Sequence, residues 1–173
     1  MISSSHAYKI FLVDDDDEYL EVLNQHLNKT INQQGGYFNE FKLQTFPSAD
    51  ECIAKLSLNP DFIILDFYLP GLNGLEALLE IKKVNPEINV IILSGNDDPE
   101  MMEKAFKSGA YDYIVKGDHA IPYIKKDINN LLKKAELVRS NVELSNKIKK
   151  QKKMFVIFIL IIFVVVMLAK IQI

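Results

Sequence analysis

Polar and apolar positions along the chain follow two periods in alternation. Lys9–Val13, Phe62–Leu65, Asn89–Leu93 and Tyr111–Val115 are short, largely apolar runs, and Phe41, Leu43 and Thr45 alternate with polar neighbours. Between them the spacing turns helical. Leu20, Leu23, Leu27 and Ile31 recur through a segment from Asp17 to about Asn32. Ser48 with Glu51 reads as a capping box opening a helix that buries Ala49, Cys52, Ile53 and Leu56. Gly74–Val84 predicts a helix with Leu75, Leu78 and Leu79 inward. Asp98-Pro99 opens a helix that Gly109 ends, and a last helix starts near Pro122.

Strands apolar on both faces, each followed by a helix, predict a parallel sheet covered on both sides. Five such units make a doubly wound α/β fold of flavodoxin-like type, in which functional groups gather at the carboxyl ends of the strands. Those ends carry Asp14 and Asp15, then Asp66, Ser94 and Lys116. Unit negative charges ~5 Å apart repel by about 3 kcal/mol per pair at an effective dielectric of ~20, so three carboxylates at one edge call for a cation. A hard divalent ion suits them, and Mg2+ suits a site of carboxylates, waters and a phosphate. Lys116 adds a point charge and Ser94 a hydroxyl for phosphoryl oxygens. The remaining reactive group is a carboxylate nucleophile that can become an aspartyl phosphate. An acidic helix start accounts for Asp16, Asp17 and Glu18, but not for Asp66, Ser94 and Lys116 on three other strands.

The last stretch has another character. Met154–Ala169 is uninterruptedly apolar and would span about 24 Å as a helix, or about 30 Å if continued to Ile173. Lys147, Lys149, Lys150, Lys152 and Lys153 precede it, which predicts a single-pass membrane anchor with the N-terminal part cytoplasmic. Before the lysines, Ile124, Ile128, Leu131, Ala135, Val138 and Val142 form a heptad seam, a candidate homodimer contact. Leu137, Leu144 and Ile148 form a second stripe. The expected layout is a domain over 7–136, a basic helical linker over 137–153 and the anchor over 154–173.

Composition narrows the function. A net charge of −3 gives no basic footprint for nucleic acid, so none is expected as a partner. The single cysteine, Cys52, excludes an intramolecular disulfide and a multi-cysteine zinc site. Residues 1–7 lack the apolar core of a signal peptide.

At its strand ends the chain resembles the receiver domains of two-component response regulators. FLVDDDDEYL at 11–20 resembles the family's acidic first turn, and IILDFYLPGLNG at 63–74 its phosphoacceptor segment. ILSG at 92–95 resembles the hydroxyl segment and YDYIVKG at 111–117 the lysine segment. The resemblance covers residues 8 to about 136. It implies that Asp66 accepts a phosphoryl group from the phosphohistidine of a histidine kinase or phosphotransfer protein. It further implies that Asp15, Asp66 and the Tyr68 backbone carbonyl bind Mg2+, with Asp14 acting largely through water. Ser94 and Lys116 then contact the acyl phosphate, and Tyr113 matches the aromatic that swings inward. Such a chain is a signalling phosphoacceptor rather than an enzyme, with output through protein contacts. Two departures stand out: Gly117 replaces the usual proline after the lysine, and Lys29–Glu40 is longer than the family's connection. The alternative is a pseudo-receiver used as an unphosphorylated membrane scaffold. A haloacid-dehalogenase-type phosphohydrolase would need an Asp where Tyr68 stands.

Overall fold

The computed structural model describes residues 8–33 and 41–171, with side chains described for 8–29 and 42–163. Strands β1 (Tyr8–Val13), β2 (Phe41–Phe46), β3 (Phe62–Asp66), β4 (Asn89–Ser94) and β5 (Asp112–Val115) alternate with helices. The helices are α1 (Asp17–Gln33), α2 (Ala49–Ala54, with a 3-10 turn at Leu56–Leu58), α3 (Gly74–Val84), α4 (Pro99–Lys107) and α5 (Ala120–Ile171). All four strand pairings are parallel, in the order β2-β1-β3-β4-β5. This is the doubly wound sheet that the apolar runs predict. Ile63, Ile64 and Leu65 of β3 and Val90, Ile91 and Ile92 of β4 are fully buried, because helices cover both faces.

Helix starts are fixed by local chemistry. The Asn73 side chain accepts from the N–H of Leu75 and Glu76 at 3.0 Å each, and Glu76 Oε2 returns to the Asn73 N–H at 3.1 Å. Asp98 caps α4 by accepting from Glu100 N–H at 2.9 Å, with Pro99 as the first helical residue. Ser48 Oγ accepts from Glu51 N–H at 3.3 Å. In α3 the buried stripe is Gly74, Ala77, Leu78 and Ile81, while Leu79 is exposed. The expected inward Leu79 is thus corrected. The inward direction runs through positions 74, 77, 78 and 81, and Leu79 lies outside that arc. Of the long connection at Lys29–Glu40, α1 takes up residues through Gln33, and residues 34–40 lie outside the described residues.

The chain forms two units, residues 1–128 and 129–173. Along α5, Ile124, Ile128, Leu131 and Leu132 are buried, whereas every residue from Lys133 to Phe163 is exposed. Among the described residues, no helix is long and apolar enough to cross a membrane. The expected single-pass anchor and its membrane localisation are corrected accordingly. Only Met154–Phe163 of the apolar run has described side chains, about 15 Å of helix against a core of ~30 Å. An 18-residue window ending at Phe163 takes in Lys147, Lys149, Lys150, Lys152 and Lys153. Residues 164–173 lie outside the described side chains.

One carboxyl pair, Asp127 with the half-buried Asp112, links α5 to β5. Asp127 is buried with its Oδ2 unpartnered among the described residues, and burial together with a hydrogen bond to Asp112 pushes its carboxyl up to about 7. The folded protein therefore holds this proton more tightly than the unfolded chain. The associated stability is complete below the ordinary carboxylate range and is lost as pH rises through about 7. Asp127→Asn should remove this dependence and exceed the wild type by roughly 2 kcal/mol at pH ~8.5, read from denaturant unfolding across pH.

Candidate functional site

The strand order reverses direction at β1, whose neighbours are β2 and β3, and this opens a crevice at the carboxyl edge. Asp14 follows β1 there, its N–H donating to Phe46 O at 3.2 Å. Asp66 ends β3, with Phe67 N–H donating to Leu93 O at 2.7 Å. Ser94 ends β4, and its carbonyl accepts from Lys116 N–H at 2.7 Å, which holds the end of β5 beside it. Backbone pairing alone thus assembles residues separated by up to about a hundred positions.

The side chains converge as well. Asp14, Asp15 and Asp66 offer oxygens within 4.8 Å of one another; Asp14 and Asp66 are buried and Asp15 is exposed. Lys116 Nζ lies 2.7 Å from Asp14 Oδ2 and 2.7 Å from Asp66 Oδ1. One ammonium against three carboxylates leaves two negative charges, the complement of one divalent cation. Hard oxygen donors of this kind fit Mg2+. Burial pushes the Asp14 carboxyl up, outweighing the hydrogen bonds from Lys116 and the Asp16 N–H. For Lys116 burial acts downward, but its bonds to Asp14 and Asp66 outweigh that and hold the ammonium above its ordinary value.

Around this centre, Ser94 is fully buried and its Oγ accepts from Asn96 N–H at 3.2 Å. Tyr68 N–H donates to Asp66 Oδ2 at 3.0 Å, and its exposed ring lies 5.0 Å from Phe67. Tyr113 is 6% exposed and its hydroxyl donates to Asn96 O at 3.1 Å, so the ring already points inward. Gly117 has φ 155°, and a Cβ there would meet nothing within 4 Å. A proline, locked near −65°, does not fit that backbone.

Residues 10–129 match the response regulator receiver domain. The chain belongs to this family. Over 113 residues the receiver is 33% identical to the C4-dicarboxylate transport transcriptional regulatory protein DctD of Rhizobium meliloti (strain 1021), covering 65% of this chain and 23% of that protein. The chain spans less than half the length of the curated relatives it matches, 43% for the transcriptional regulatory protein MalR of Bacillus subtilis. A receiver domain protein from Clostridium thermocellum superposes with a TM-score of 0.64 at 29% identity, covering 76% of this chain and 98% of that one. Receiver domains of two-component response regulators accept phosphoryl groups from histidine kinases or phosphotransfer proteins, and are signalling phosphoacceptors rather than conventional enzymes. They bind Mg2+ in an acidic pocket of the kind that Asp14, Asp15 and Asp66 form.

Two contributors escaped the sequence reading. Asn96 joins three site residues: its N–H reaches Ser94, its carbonyl Tyr113, and its Nδ2 the Tyr68 hydroxyl at 2.9 Å. The available signal was its offset, two positions past Ser94 as Tyr68 is two past Asp66. Tyr19, in the first turn of α1, brings its ring centroid within 4.7 Å of Lys116 Nζ. Nothing in the local pattern pointed to Tyr19, because that contact joins α1 to the end of β5.

Proposed function

We propose that the chain is a receiver in a Mg2+-dependent phosphorelay, with Asp66 as the phosphoacceptor. The observation that carries this reading is the bifurcated ion pair of Lys116 with Asp14 and Asp66 inside a three-carboxylate cluster. A carboxylate oxygen of Asp66 attacks the phosphorus of a partner's phosphohistidine. The P–N bond breaks, its electron pair returns to the imidazole, and the new P–O bond makes an acyl phosphate. Lys116 then exchanges Asp66 Oδ1 for a phosphoryl oxygen, and the Ser94 hydroxyl donates to another. Asp14, Asp15, Asp66 and the Tyr68 carbonyl would hold Mg2+, which supplies charge neutralisation to the phosphoryl oxygens. Turning Ser94 toward the phosphoryl group alters the Asn96 backbone that holds Tyr113, which makes Tyr113 the switch residue.

The receiver occupies 7–136 in this reading and 137–153 is a helical linker, with output through protein contacts. Of the heptad seam, Ala135, Val138 and Val142 are exposed, which supports pairing of α5 with a second copy; Leu137, Leu144 and Ile148 of the second stripe are exposed as well. Ile124, Ile128 and Leu131 are buried and so take no part in that pairing.

The full chain with acetyl phosphate and Mg2+ should gain the mass of one phosphoryl group, and chelation should prevent it. A chain that stays unlabelled under these conditions is a pseudo-receiver.

A further inference from the structure

The site contains an aromatic residue to which the phosphoryl-transfer chemistry above assigns no task. Asp14 Oδ1 accepts from the Asp16 N–H at 3.1 Å, and Asp16 Oδ1 accepts from the Tyr19 N–H at 3.0 Å. The turn that presents the acids therefore also fixes the backbone of Tyr19 as α1 begins. From there the ring reaches across to β5 and lies 4.7 Å from Lys116 Nζ, within the range of an ammonium–π contact. The Tyr19 hydroxyl is buried and finds no hydrogen-bond partner among the described residues. Burial also keeps that phenol protonated, pushing it above its ordinary value. The ring face therefore makes the contact, while the hydroxyl has no described use.

Lys116 needs such a contact. Lysine is a point charge on a four-carbon stem with little geometric preference of its own. Its two carboxylate partners are reaction components: Asp66 changes from carboxylate to acyl phosphate, and Asp14 lies in the acidic pocket. The next residue, Gly117, has φ 155° and no side chain, with open space where one would stand, so it adds no wall of its own. The Tyr19 ring is a partner of the ammonium that does not change as phosphorus is transferred.

We propose that Tyr19 is a positioning residue: its ring face holds the Lys116 ammonium at the acidic edge while Asp66 gains the phosphoryl group. This rests on the reading of Asp66 as phosphoacceptor. The π-face lowers the freedom of the ammonium and leaves it aimed at the incoming phosphoryl oxygens when the Asp66 contact is given up.

The test is the rate of phosphoryl incorporation into the full chain from acetyl phosphate with saturating Mg2+, followed by intact mass. Tyr19→Leu removes the π-face and should slow incorporation about tenfold, with a range of roughly 3-fold to 30-fold. Tyr19→Phe keeps the face, loses only the unpartnered hydroxyl, and should restore the rate to within about twofold of wild type. In a Lys116→Met background, Tyr19→Leu should add no further loss, since the interaction it removes is already gone. The chain has no tryptophan, so Tyr19→Trp gives a single tryptophan, excited selectively over the remaining tyrosines, whose emission should shift when Lys116→Met is added. That measurement stands even if Tyr19→Leu does not fold. The proposal is overturned if Leu matches Phe, if Phe is as slow as Leu, if the loss persists without Lys116, or if the emission ignores Lys116. A wild-type chain that takes no label overturns the Asp66 reading together with this one; a labelled wild type with any of those four results overturns this one alone.

Discussion

Asp66→Asn is expected to abolish phosphoryl incorporation while leaving the fold intact. The amide oxygen can still accept the Tyr68 N–H that now reaches Asp66 Oδ2 at 3.0 Å, and Lys116 keeps its 2.7 Å contact with Asp14. What disappears is the anionic nucleophile. Removing one of three clustered carboxylates also relieves repulsion, by at most about 3 kcal/mol per pair at ~5 Å. The loss of the 2.7 Å pair with Lys116 offsets that relief, so the variant should melt close to the wild-type temperature and bind Mg2+ more weakly, by roughly tenfold or more. Intact mass after acetyl phosphate treatment, thermal melting and Mg2+ titration read the three effects separately. Label that persists in Asp66→Asn places the acceptor elsewhere and removes the assignment.

Gly74→Val should be the most damaging single change outside the acidic cluster. Gly74 opens α3, and its N–H donates to Phe67 O at 2.8 Å, drawing the helix against the end of β3. A Cβ at this position would stand 2.6 Å from the Asp66 carbonyl oxygen and 2.7 Å from Phe67 Cα. Both are backbone atoms, so no side-chain rotation relieves the contact. Either α3 moves away from β3, exposing the buried Ala77, Leu78 and Ile81, or the Asp66 backbone shifts. We expect a loss of about 3 kcal/mol or more in denaturant unfolding, together with slower phosphoryl incorporation. Gly74→Ala should show the same signs at smaller size. A Gly74→Val variant with wild-type stability would mean that the helix and strand are not held this closely.

The parallel sheet could be read from the chain because its signals are local. Runs such as Phe62–Leu65 are apolar at every position, helix starts such as Asp98-Pro99 carry their own caps, and Gly109 adopts the positive φ of a helix end. The strand-end positions of Asp14, Asp15, Asp66, Ser94 and Lys116 follow from those boundaries plus the rule that parallel strands share one carboxyl edge. What stayed hidden lies between elements. The inward arc of α3, which excludes Leu79, depends on how the helix rolls on the sheet. Apolar character along α5 could not show where burial stops, at Leu132, because the same residues suit a core, a partner or exposure. The apolar run after Met154 suggested a span, but among the described residues no helix is long and apolar enough to cross a membrane. Sequence by itself determined which groups reach the carboxyl edge, since strand boundaries and residue chemistry are written in local pattern, whereas the order β2-β1-β3-β4-β5 is not. Only the tertiary structure decided how those groups are paired: Lys116 between two carboxylates, Tyr19 over the ammonium, Asn96 between two tyrosines and a serine. Distances of a few ångströms between residues far apart in the chain arise from packing, and no sequence period encodes them.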